Sequence, residues 1–273
     1  MQAGVVAAPR VPPRVRLFER LRGPAWAAVP IASIVLTIFA IRYVSDTAPG
    51  LTYLALVAVP LLAAAALGWA ARGSVPWAAL GAVPLFILAW AARTSLVGEA
   101  AAALLSALSC VTLGVLLGAV TPSGWLKVGI VLMAAADTWL VVSDLLQAPN
   151  AALVAAAPGA GLPQLQSELF GTVSMGYGDL FVAALLGAAL ARTVRVQRGA
   201  AVLTFVFAAL FDLLFFVIDE LPATVPVALV VIVLEVWQRF GLSARLRGRG
   251  RRREVVSSEE EGDVGLREGA PVG

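Results

Sequence analysis

Histidine is missing from all 273 residues. No imidazole can therefore activate a serine or cysteine nucleophile, and no His-x-x-x-His zinc site can form. Cysteine occurs once, as Cys110, so neither an intrachain disulfide nor a thiolate cluster is open to the chain. Cys110 lies in an apolar run and reads as a small packing residue. Lysine also occurs once, as Lys127 at a predicted helix end, where it is a poor base for a Ser/Lys dyad. Charge is scarce too: 14% of residues are charged and 60% hydrophobic, with a mean hydropathy of +0.90. Ordinary soluble domains carry about 25% charged residues. The balance excludes that class and predicts an all-α, polytopic transmembrane helical bundle. The polar–apolar alternation of a membrane β-barrel is absent. Aspartate and glutamate are the main side chains left for buried acid–base work.

Eight apolar spans are predicted, near Ala25–Val44, Leu51–Ala71, Val75–Ala92, Ala100–Val120, Leu126–Leu146, Glu168–Ala191, Ala200–Ile218 and Pro222–Phe240. Each is long enough to cross about 30 Å of hydrocarbon, the third being the shortest and carrying Pro76 and Pro84. The first is read as a retained span rather than a secretory signal, because no cleavage region follows it. The net charge of +3 needs no nucleic acid or other anionic partner, because arginine placement serves orientation in the lipid bilayer. Arg10, Arg14, Arg16, Arg20 and Arg22 precede the first span, Arg72 follows the second, Lys127 precedes the fifth, and Arg192, Arg195 and Arg198 join the sixth and seventh. These fall on one side if both ends are cytoplasmic, which predicts a cell-membrane protein with residues 147–167 outside. Four regions result: a basic N-terminal segment 1–24, helices over 25–120, helices of catalytic type over 121–240, and a tail 241–273. The tail is arginine-rich and then acidic, and reads as disordered. Residues 14–22 suit a short amphipathic interfacial helix or a plain anchoring charge.

Two aspartates interrupt the apolar spans. Asp137 lies in VLMAAADTWLVV and Asp179 closes Gly176-Tyr177-Gly178-Asp179. A charged side chain at the bilayer centre costs about 2.5–3.5 kcal/mol. Each aspartate sits about eleven residues into its span, so antiparallel neighbours would hold both at similar depth. Two such carboxyls can share a proton and activate water. Gly176 and Gly178 remove side-chain bulk and loosen the local helix, as an extended substrate backbone would require.

The segment Met175–Ala189 resembles the Gly-x-Gly-Asp helix of the presenilin and signal-peptide-peptidase family. Ala136-Asp137-Thr138 followed by Val141 resembles that family's Tyr-Asp helix. Residues 148–158 resemble the loop after it, and Leu221–Pro226 resembles the Pro-Ala-Leu motif opening the last helix. The likeness covers Leu126–Phe240. It implies a presenilin-like C-terminal half and an intramembrane aspartyl endopeptidase acting on transmembrane helices or signal-peptide remnants. Asp137 and Asp179 would be the catalytic pair, Gly176, Tyr177 and Gly178 would shape the substrate site, and Pro222 and Ala223 would dock substrate. No metal or organic cofactor is implied. Ala136 replaces an aromatic residue of the family pattern, Thr224 replaces a leucine, and eight spans stand where the family has nine. These departures leave altered specificity or an inactive relative open.

Rival readings use the same residues. Ser174–Asp179 also resembles a potassium-channel filter, with a pore helix over Gln164–Thr172. Only about 18 Å of helix would then separate Asp179 from Arg192, too little to cross the core. A proton- or cation-coupled transporter would also use intramembrane acids. Asp144 lies on roughly the same face as Asp137 near the outer end, and Asp212 inside the seventh span suits a structural hydrogen bond or a hydrated groove.

Overall fold

The computed structural model describes residues 21–170, 173–216 and 222–240. Residues 14–20 of the amphipathic segment, the tail 241–273, Asp219 and Glu220 lie outside the described residues. The chain divides into two units, Met1–Val231 and Ile232–Gly273. Of the second, residues 232–240 are described, and they are helical. The geometry that follows belongs to the first.

The described residues are mostly helical. The helices are α1 (Val29–Tyr43), α2 (Thr47–Ala65), α3 (Ala82–Ala91), α4 (Leu96–Val120), α5 (Ser123–Val142), α6 (Gln147–Ala155), α7 (Tyr177–Ala189), α8 (Val194–Asp212) and α9 (residues 225–240). Five helical stretches among the described residues are long and apolar enough to cross a membrane: Pro24–Tyr43, Thr47–Ala70, Leu96–Val120, Ser123–Val142 and Val194–Asp212. Pro76–Ala91 and Tyr177–Ala189 are apolar but shorter. Helices overlap all eight predicted stretches, but five, not eight, reach spanning length among the described residues.

Proline and serine set several starts. Pro24 and Pro76 open 3₁₀ turns, where their missing N–H is not needed. Ser95 caps α4, its Oγ accepting from the Gly98 N–H at 3.3 Å. Gly98 itself is obligatory, since a Cβ there would lie 2.2 Å from the Ala92 carbonyl oxygen. At the end of α5 the Leu145 N–H donates to Leu140 O and the Asp144 N–H to Val141 O. Asp144 has φ 57°, so this is a Schellman stop with aspartate where glycine is usual. Asp144 therefore leaves the helix in a left-handed turn, and the expectation that it shares a face with Asp137 does not hold.

The sixth predicted span is the main correction. Residues Ser167–Phe170 (β1) and Val173–Gly176 (β2) pair as an antiparallel hairpin, with Ser167 opposite Gly176 and Phe170 opposite Val173. Helix begins only at Tyr177. The short hairpin is also the one departure from an all-α chain among the described residues. The seventh span starts earlier than expected, so Arg195 and Arg198 are helical residues at the start of α8 rather than loop residues.

Helix α4 is the hub, packed against α2, α3 and α7. Its Gly114 and Gly118 face Ala184 and Ala188 of α7. A Cβ on Gly114 would lie 2.9 Å from Ala184 O, and one on Gly118 3.2 Å from Ala188 Cβ. Small residues four apart on both helices let the backbones meet, the usual solution where lipid gives no hydrophobic drive. Hydroxyls add ties: Thr112 Oγ1 donates to Leu62 O at 2.7 Å, and Thr52 Oγ1 to Ala156 O at 2.8 Å. By contrast, α1 and α8 bury little. Leu36 is 70% and Phe205 74% exposed.

Candidate active site

Helices α5 and α7 pack together and run antiparallel. Leu126, near the start of α5, and Ala188, near the end of α7, both lie beside Gly118. At the other end Asp137 of α5 and Asp179 of α7 come within electrostatic reach of each other. Both predicted catalytic carboxyls are therefore brought together, but not from mid-helix positions. Asp137 is about 20 Å along α5 from Ser123, while Asp179 sits in the first turn of α7. Both carboxyls are half-buried.

Each carboxyl has its own donor. The Gly176 N–H donates to Asp179 Oδ2 at 3.1 Å, one half of a capping box whose other half glycine cannot supply. Thr224 Oγ1–H donates to Asp137 Oδ2 at 2.6 Å, and the Thr224 backbone N–H also bonds that carboxyl. Thr224 is buried and lies just before α9. The sequence marked it only as a departure from a motif. A hydroxyl residue directly before a helix start was the available signal, since such residues cap helices and offer donors there.

The remaining predicted site residues separate. Gly176 and Gly178 are exposed. A Cβ on Gly178 would meet nothing within 4 Å, whereas one on Gly176 would lie 3.3 Å from Asp179 Oδ2. Gly178 therefore does not serve close helix approach; a side chain there would meet open space. The Tyr177 hydroxyl shares a 2.7 Å hydrogen bond with Ser109 Oγ on α4. Pro222 is half-buried and Ala223 exposed, next to Thr224. Asp212 is exposed at the last residue of α8. The pore helix that a channel filter would need over Gln164–Thr172 is not there, because residues 167–170 are strand.

No protein-family model, no curated protein and no solved structure matches the chain.

Proposed function

We propose that the chain is an intramembrane aspartyl endopeptidase of the presenilin and signal-peptide-peptidase kind, cleaving transmembrane helices or signal-peptide remnants. The observation that carries this reading is the meeting of Asp137 and Asp179 from antiparallel helices, in a chain with no histidine to do the same work. Like charges so close in low dielectric do not both ionise, so the pair holds one proton between them. The carboxylate takes a proton from water as the water oxygen attacks the peptide carbonyl carbon. The protonated partner gives its proton to the carbonyl oxygen, leaving a gem-diol. On collapse the C–N bond breaks and the amine leaves with the proton first taken from water. One hydroxyl proton of the gem-diol returns to the pair as the new carboxyl group forms, restoring its single proton. The open space at Gly178 and the exposed Ala223 suit a substrate backbone laid beside the pair. Arginine placement supports an orientation with both chain ends cytoplasmic and residues 147–167 outside.

The test is cleavage of a helical transmembrane peptide by purified protein, read by mass spectrometry. A peptide analogue with a hydroxyl at the scissile position should block it, because it occupies the place of the attacking water. Absence of cleavage, together with a cation current in planar bilayers lost on changing Tyr177, would decide for a channel. Proton- or cation-driven uptake without cleavage would decide for a transporter.

A further inference from the structure

The two donors at the pair are not equivalent. The Thr224 bond, an O–H to a carboxylate oxygen at 2.6 Å, has the length of a charge-assisted bond. The Gly176 bond, an N–H to oxygen at 3.1 Å, has the ordinary length of a neutral one. Asp137 also receives the Thr224 backbone N–H. It thus has two donors, both from the residue preceding a helix, where negative charge is favoured. Asp179 has one donor and sits at a helix start as well, so helix position alone does not separate them.

We propose that Thr224 is a positioning residue that fixes the shared proton: Asp137 carries the charge and Asp179 carries the proton. Resting on the protease reading, Asp137 is then the base that takes the proton from water, and Asp179 is the acid that protonates the carbonyl oxygen. Thr224 touches neither substrate nor water in this scheme and acts through Asp137.

Few other charges face the pair. Helix α5 packs against α1, the 24–28 turn and α7. Those elements carry Arg42 and Tyr43 at the end of α1, and Tyr177, which is bonded to Ser109. Helix α5 itself has Lys127 near its start and Asp144 beyond its end. The hairpin carries Glu168 opposite Met175, and residues 222–231 carry no titratable group. Helix α7 also packs against α4, which carries Glu99 in its first turn and Cys110, and Asp137 and Asp179 act on each other electrostatically.

Two measurements test the assignment. Infrared spectra of the resting protein in lipid report a protonated carboxyl without any need for turnover. Followed against pH, the band of the carboxyl left in Asp137→Asn is expected to persist to higher pH than that of the carboxyl left in Asp179→Asn, and Thr224→Val, but not Thr224→Ser, should close that gap when added to Asp179→Asn. Equal midpoints, or the reverse order, would overturn the assignment. In the cleavage assay, Thr224→Val should move the acid limb of the pH profile upward by about one pH unit with KM unchanged, since the charged form of Asp137 loses a donor. Thr224→Ser should restore the wild-type limb. A Thr224→Val profile and spectrum identical to wild type would remove Thr224 from the role. Should the valine variant not fold, Thr224→Ala deletes the same donor with less bulk, and the same outcomes apply. If the infrared pattern holds while the wild-type protein cleaves nothing, the protease reading fails and the proton placement stands.

Discussion

Asp137 and Asp179 interact electrostatically from unlike settings. Asp137 lies well inside α5, and its nearest donor is a side-chain hydroxyl delivered from Thr224, 87 residues away. Asp179 lies in the first turn of α7, and its donor is the amide of Gly176, three residues before it. The second arrangement is local and belongs to the backbone, so no single side-chain replacement short of proline at 176 deletes that donor. The first depends on one hydroxyl and on the packing that brings residues 222–231 to α5. One carboxyl is thus held by the chain's own path and the other by a tertiary contact.

The largest effect should come from erasing either side of the pair. Asp137→Asn and Asp179→Asn should each lower peptide cleavage by about three orders of magnitude or more, with the double variant no worse than either single one, because the two act as a unit. Circular dichroism should show all three variants folded. Cleavage at the wild-type rate in either single variant would break the pairing. Next comes the α4–α7 seam, which positions Asp179 but not the Thr224 bond. Gly114→Val should cost about 1–3 kcal/mol or more, seen as a lower melting temperature in detergent, since even its Cβ would press on Ala184. An unchanged melting temperature would mean that the seam is loose.

A smaller contrast separates the two glycines. Gly176→Ala crowds Asp179 Oδ2 and should slow cleavage about tenfold, the scale of a shift of a few tenths of an ångström in a reacting group. Gly178→Ala meets open space and should leave the melting temperature unchanged, so any loss it causes must appear in KM for the peptide. Equal effects on kcat in both variants would contradict the geometry. The smallest effect lies away from the pair. Asp144→Gly relieves a left-handed residue and should raise stability by about 0.5 kcal/mol, the left-handed cost being partly offset by glycine's greater entropy in the unfolded chain. Cleavage should not change; a loss would give Asp144 a part in the site.

Much of this was legible in the sequence. The apolar stretches gave helix positions because hydropathy is a local property, and the two aspartates stood out against it. The hairpin was not legible as such. Residues 167–176 run directly into the apolar stretch that starts at Tyr177, and the sign of a turn there is only Gly171-Thr172 between two short runs. Reading straight through them placed Asp179 at mid-helix instead of at a helix start. Arg195 and Arg198 misled in the opposite sense, because charge was taken to end the membrane segment, whereas long side chains at a helix end reach out of it. Thr224 was legible only as a hydroxyl before a helix start. Its importance lies in a contact made only when distant helices pack, and no local pattern records which carboxyl will be waiting.

The shortness of α7 bears on the membrane itself. Its 13 residues rise about 20 Å, against about 30 Å of hydrocarbon in an average bilayer. If α7 lies across a bilayer, tails compress or headgroups dip toward the hairpin, and either adjustment costs fractions of a kcal/mol per ångström. A dip on that side would bring water down to the level of Asp179 without a pore through the protein, and bilayer thickness would then control how wet that carboxyl is.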